Sequence, residues 1–249
     1  MIERFNIGKV NINAANIEEA VSCIMENADT DTSCYVCLTN VYACHIGNRD
    51  ENYGRILNNS FLTFPDGKPL EWYARLSGYN KVRRTCGPDL FVRICELTEN
   101  THYTHFFYGS SPEIIAKMKE NLLRKWPNLK IVEALSPPFL PARELAGDSI
   151  ANKINEINPT FVWIGLGAPK QELVMDLLVK KIKSSILIGI GLVFEYQAGT
   201  IKRAPLWMQK SGFEWLFRVS QQPKRMIIAI PPFSWITIKI IIKLLKKWE

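Results

Sequence analysis

The chain has 249 residues, 47% of them hydrophobic, and a formal charge of +7. That length suits one large or two small domains with a substantial core, and the apolar share excludes global disorder. The positive balance fits an anionic partner (nucleic acid, a phosphorylated ligand or an anionic membrane) without choosing among them.

The first twenty residues, MIERFNIGKVNINAANIEEA, contain no apolar run long enough for a signal peptide. Six cysteines are irregularly spaced in a chain too long to need disulfide staples, so a reducing, cytoplasmic setting is expected. Cys34 and Cys37 form a C-x-x-C near Cys44 and His45, which raises zinc. The surrounding YVCLT reads as a buried strand, where positions three apart face opposite sides and cannot hold one ion.

Apolar runs and helix-like segments alternate along the chain. Helical spacing covers Ile17–Ala28, then a strand is expected at Tyr35–Thr39, a helix at Glu51–Asn58 and a strand at Phe61–Phe64. Pro88–Glu99 reads as a helix, Thr104–Tyr108 as a strand, Pro112–Trp126 as a helix and Leu129–Val132 as a strand. SPPFLP at Ser136–Pro141 is a loop, followed by a helix at Glu144–Ile157, a strand at Thr160–Ile164, a helix at Lys170–Ile182 and a strand at Ile186–Ile190. Pro112 and Pro169 suit the first turns of their helices. This alternation predicts an α/β fold with a mostly parallel sheet and helices on both faces.

Ligands in such sheets collect beyond the carboxyl ends of the strands. Thr39-Asn40, Pro65-Asp66-Gly67 and Gly165-Leu166-Gly167 stand at three of those ends. Asp66 has the place of a general base, although Pro-Asp-Gly also forms turns anywhere, and the residues alone leave both readings open. Gly165-x-Gly167 lacks the third glycine of a dinucleotide fingerprint, because position 170 is Lys. The glycines still admit a ligand, and a helix starting at Pro169 offers N–H groups to an anion. Gln171 and Glu172, in its first turn, are candidates for hydrogen bonds to a ligand or simple cap residues. A second glycine-bearing element, IGIGLVFEYQAGTIKRAP, brings Tyr196 and Arg203, and Arg218 and Arg225 follow on a basic, aromatic segment. Those arginines suit a lipid-linked diphosphate or a solvated basic face. Nothing in the pattern calls for a metal or a cofactor.

The tail, MIIAIPPFSWITIKIIIKLLKKWE, is apolar enough to tempt a transmembrane reading, but Pro231-Pro232 interrupts it and Lys239 and Lys243 punctuate it. A helix from about Ser234 would set Lys239, Lys243, Lys246 and Lys247 mostly opposite the Ile and Leu residues. That predicts an interfacial helix on anionic lipid, with Trp235 and Trp248 at headgroup level. Packing on the core, or on a second subunit in a homo-oligomer, stays open beside it.

PDG, RRTCGPDLF, GLGAPKQE, GIGLVFEYQAGTIKRAPLWMQKSGFEWLFR and QQPKR, in that order over about residues 5 to 225, resemble the WecG/TagA/CpsF glycosyltransferase family. The resemblance implies a Rossmann-like, inverting, metal-independent enzyme. It would move a sugar from a UDP donor to a polyprenyl-diphosphate-linked saccharide in teichoic acid, enterobacterial common antigen, capsule or exopolysaccharide synthesis. It assigns Asp66 as general base. Donor binding would fall to Thr39, Asn40, Gly87, Asp89, Gly165, Gly167, Gln171, Glu172 and Tyr196, and the acceptor diphosphate to Arg203, Arg218 and Arg225. Residues 1–200 would form the catalytic domain and 201–249 a basic, apolar appendage for membrane association at the cytoplasmic face. This sequence departs from related patterns at Leu38, where a threonine is found in the teichoic-acid branch, at Glu195 in place of an aspartate, and at Ile228 in place of an arginine. A Rossmann oxidoreductase and a basic nucleic-acid-binding protein are the competing readings.

Overall fold

The computed structural model describes residues 2–221 and 230–245. Arg225, Ile228, Lys246, Lys247 and Trp248 therefore lie outside the described residues. Six parallel strands form the central sheet: β3 (Cys34–Thr39), β4 (Leu62–Pro65), β5 (Thr104–Gly109), β6 (Lys130–Leu135), β7 (Phe161–Gly165) and β8 (Ile186–Gly189). Their order is β4-β3-β8-β7-β5-β6. Strands β3, β7 and β8 are buried along nearly their whole length, as their unbroken apolar runs require. Each expected strand is present within two or three residues of its predicted ends.

A hairpin of β1 (Arg4–Ile7) and β2 (Val10–Asn13) precedes the sheet and was not expected. Phe5, Ile7, Val10 and Ile12 alternate inward, and Gly8 makes the turn at φ +65°. The hairpin is tied to the end of the helix over Glu51–Asn59 by Arg4, which donates to the carbonyls of Asn58 (2.8 Å) and Ser60 (2.7 Å).

One face of the sheet is covered by α2 (Val41–Arg49), α3 (Glu51–Asn59), α8 (Asp148–Ile157) and α9 (Lys170–Leu178), together with α4 (Lys68–Leu76) and α7 (Ala142–Leu145). The other carries α1 (Ile17–Ala28), α5 (Gly87–Thr98), α6 (Pro112–Lys125) and α10 (Val193–Gln197). The single helix expected over Glu144–Ile157 is instead two, because the chain breaks at Ala146-Gly147 and restarts at Asp148. Cys34 packs with the α1 face and Cys37 with the α9 face, as strand alternation demands. Chain leaving β3 and β7 turns to one face, while chain leaving β8 between them turns to the other. That divergence opens a crevice at the carboxyl ends of the middle strands.

After α11 (Leu206–Ser211) and α12 (Glu214–Gln221), the helix α13 (Ile230–Leu245) returns to the body. It starts earlier than expected, with Pro231 and Pro232 in its first described turn, a place where proline is tolerated. One side packs on the core through Ile236, and Trp235 stands edge-on to His45 at 5.4 Å. Lys239 and Lys243 lie over the rings of Trp235 and Tyr73. The opposite side leaves Ile238, Ile241, Ile242 and Leu245 exposed at helical spacing. Among the described residues no helix is long and apolar enough to cross a membrane.

Within the core, His105 Nδ1 accepts from Trp163 Nε1 at 3.0 Å, and Nε2 lies 3.0 Å from Thr98 Oγ1, which itself donates to the Ile94 carbonyl. Those partners hold a neutral ring, and burial lowers its pKa to about 3. Below the unfolded value of 6.5 the unfolded chain takes up a proton that the folded chain refuses, so stability is lost as pH falls toward 3. The expected loss is about 1.4 kcal/mol per pH unit in that window. Urea midpoints at neutral pH and near about pH 4.5 measure it, and a His105→Gln variant has a shallower dependence.

Candidate active site

Strand β4 ends in Pro65-Asp66-Gly67. The Asp66 N–H donates to the Thr39 carbonyl at 2.9 Å, which fixes this loop to the end of β3. Gly67 turns the chain at φ +134°, a conformation that side chains rarely adopt, and α4 begins at once. The Thr85 N–H donates to the Pro65 carbonyl at 3.0 Å, so the 84–87 segment lies against the same loop. Asp66, Arg84 and Gly87 consequently border one cavity of about 560 Å³.

Across the cavity stand two glycine turns. Strand β7 runs into Gly165-Leu166-Gly167, β8 into Ile190-Gly191 from Gly189, and all four glycines line the space. Gly167 and Gly191 adopt φ +76° and +52°, and both of their N–H groups donate to Gln171 Oε1, at 3.2 and 3.1 Å. Gln171 Nε2 donates in turn to Glu172 Oε1 at 2.9 Å. Burial pushes the Glu172 carboxyl above the usual range, against the hydrogen bond from Gln171. The Tyr53 hydroxyl lies beside the same carboxylate and adds to the opposition.

Helices α4, α5 and α9 begin at this cavity, so their N-terminal partial positive charges converge on it. A third wall comes from α12 and α13, which contribute Glu214, Trp215 and Phe233, with the two rings 5.8 Å apart. Arg84 joins the walls: its Nη1 pairs with Glu214 and its Nη2 stands 3.7 Å from Asp89 Oδ2. Burial opposes the Arg84 charge, but the Asp66 and Glu214 carboxylates hold the guanidinium ionised. Arg203 pairs with Asp89 and donates to Cys86 Sγ at 3.2 Å. Burial works against the Asp89 carboxylate, yet hydrogen bonds from Arg203 and Cys86 and the nearby arginine charges outweigh it, leaving its pKa below the usual range. Burial, with the Asp66 charge adding, pushes the Cys86 thiol up to about 12.

Of the expected residues, Asn40, Gly87, Gly165, Gly167, Gln171 and Tyr196 border the cavity with Asp66. Asn40 also caps α2, accepting from Ala43 N at 2.9 Å. Thr39 is buried and alternates away from the cavity, which its neighbour Leu38 lines; the Thr39 hydroxyl has no hydrogen-bond partner. Glu172 sits beneath Gln171, and Asp89 and Arg203 pair beside the cavity without bordering it. Arg218 lies on α12. Arg84 and Glu195 are among the lining residues that were not singled out from the sequence as site groups. Arg84 stood in the quoted RRTCGPD segment, and its position against Asp66 is set by a loop contact that no local pattern encodes. Glu195 follows β8 and accepts from Ser110 Oγ at 3.2 Å, leaving Oε2 buried without a partner. On the expected 136–141 loop, Phe139 is 99% exposed with Lys170 Nζ 4.3 Å from its ring centre, at the same end of the sheet.

The N-acetylglucosaminyldiphosphoundecaprenol N-acetyl-beta-D-mannosaminyltransferase of Bacillus subtilis (strain 168) is 28% identical over 194 residues, 77% of this chain and 73% of that protein. The protein of the same name from Bacillus spizizenii is 26% identical over 193 residues, with the same two coverages. The family model described as "Glycosyl transferase WecG/TagA/CpsF family" matches residues 5–247, and the chain belongs to that family of glycosyltransferases.

Proposed function

We propose that this enzyme transfers a sugar, with inversion, from a UDP-sugar to a saccharide carried on a polyprenyl diphosphate, in the synthesis of a cell-envelope polysaccharide. The observation that carries the proposal is the placement of Asp66 on a strand-end loop, facing a cavity ringed by glycine turns and helix starts. In the reaction the Asp66 carboxylate takes the proton of the acceptor hydroxyl. The acceptor oxygen bonds to C1 of the donor sugar from the face opposite the leaving group, and the bond from C1 to the diphosphate oxygen breaks to release UDP. Negative charge growing on the diphosphate is met by the starts of α5 and α9 and by Arg84, so no metal ion is assigned to the step. Glu195 and Ser110 suit the ribose hydroxyls, and exposed Phe139 offers a stacking surface for the base.

The basic segment with Arg218 and Arg225 is assigned to the acceptor diphosphate; Arg203 serves more directly by holding Asp89. The exposed stripe of α13 is assigned to the cytoplasmic surface of a bacterial plasma membrane, where a lipid-linked acceptor resides. The two Bacillus relatives are named for transfer of an N-acetylmannosaminyl group, which makes that sugar the first donor to test, beside its uronic acid, glucose and galactose. Family membership sets aside the oxidoreductase and nucleic-acid readings.

UDP at about a hundred times its Kd should add about 2.7 kcal/mol of stability, a rise of roughly 5–10 °C in Tm for a chain of this size, while NAD should leave Tm unmoved. Thermal melts with the two nucleotides, followed by a turnover screen of UDP-sugars on a short-chain polyprenyl-diphosphate saccharide, test the reading. A melt unmoved by UDP, together with no turnover, would refute it.

A further inference from the structure

We propose that Glu172 is a positioning residue for donor binding, acting through the Gln171 amide to hold the Gly167 and Gly191 turns at the spacing a nucleoside diphosphate needs. This deepens the UDP-sugar reading and rests on it.

The backbone ladder between β7 and β8 ends with the Ile190 N–H donating to the Ile164 carbonyl at 3.0 Å. Beyond that rung the two strands separate, one toward α9 and the other toward α10 on the opposite face. Gln171 Oε1 supplies the missing rung by accepting from both Gly167 and Gly191. With those N–H groups turned inward, each turn presents bare backbone to the cavity; a Cβ built on Gly167 would meet nothing within 4 Å. The side chain lies in a fitted slot. A Cβ on Gly189 would stand 3.0 Å from Gln171 Nε2 and 2.8 Å from Met175 Cε, so only glycine leaves the amide room.

An amide has two ends of nearly equal shape, and only its oxygen can accept from two N–H groups. Glu172 Oε1 decides which end faces the glycines, because it accepts from Nε2 and would repel the oxygen if the amide turned over. At 1% exposure, no water competes for that choice. A ligand contact is excluded for Glu172 by the same burial, which is why its effect must pass through its neighbour.

The test compares Glu172→Leu, Glu172→Gln and Gln171→Met in the full chain, by hydrogen exchange at the Gly167 and Gly191 amides, by UDP Kd, and by KM and kcat for the UDP-sugar. Leucine keeps bulk but offers no acceptor. Exchange at both amides is expected to quicken and Kd and KM to rise by about tenfold, the scale of one buried hydrogen bond, with kcat changed far less. Glutamine still presents an oxygen to Nε2 and is expected to restore wild-type values. Gln171→Met removes the rung itself and should quicken the same two amides, which keeps the idea testable where Glu172→Leu does not fold. Wild-type exchange and UDP affinity in folded Glu172→Leu would overturn the proposal, as would equal damage from glutamine. Failure of the wild-type chain to bind UDP would instead overturn the donor reading, and the exchange comparison would still judge the rung.

Discussion

Asp66→Asn is expected to lower sugar transfer by about a thousandfold while leaving UDP affinity within a factor of two, the range seen when a general base loses its proton-accepting oxygen. Asparagine matches the carboxylate in shape and keeps the backbone bond from position 66 to the Thr39 carbonyl, so the loop should not move. The change removes a negative charge felt by Arg84, but Arg84 retains Glu214 as its partner. The loss should therefore appear in kcat and not in donor binding. Single-turnover transfer together with calorimetric titration of UDP separates the two. Unimpaired transfer in the variant would remove Asp66 from the mechanism.

Replacing Ile238, Ile241 and Ile242 together by Glu is expected to release the protein from anionic vesicles. These side chains are 57%, 49% and 46% exposed, so about half of each remains to be buried by lipid. At about 1 kcal/mol apiece the three contribute about 3 kcal/mol, or roughly a hundredfold in partition before the added charges are counted. Deleting the tail is a poorer experiment, because Ile236 and Trp235 on the other side pack on the core and would leave a hole there. Flotation with vesicles containing phosphatidylglycerol, compared with the wild-type chain, measures the effect. Equal binding by the triple variant would assign the stripe to something other than lipid.

The sheet was legible because its strands other than the edge strand β6 are largely buried on both faces and read as short apolar runs between turn residues, as YVCLT and FVWIG show. The β1–β2 hairpin was legible in principle, since RFNIGKVNIN alternates about a Gly-Lys turn, but the runs are short and half polar. Helix α2 was missed because VYACHIGNR has little periodicity; its position follows from the Asn40 cap and from packing against α3. The site was legible where chain punctuation marks it: Asp66 between proline and glycine, and Gly165 and Gly167 at a strand's end. Contacts between distant segments were not. The pairing of Arg203 with Asp89 and of Arg84 with Glu214 depends on how the post-β8 chain folds back, which no local spacing records. Likewise Gln171 looked like a ligand-binding group because it begins a helix, and only the fold shows its oxygen already shared by two turns.

Helices α12 and α13 supply one wall of the cavity, and α13 also bears the greasy ridge on its outer side. On the proposed reading the doorway to the chamber then rests at the level of the lipid headgroups. An enzyme held this way meets its acceptor by lateral diffusion in two dimensions, and the saccharide need never leave the leaflet to be extended.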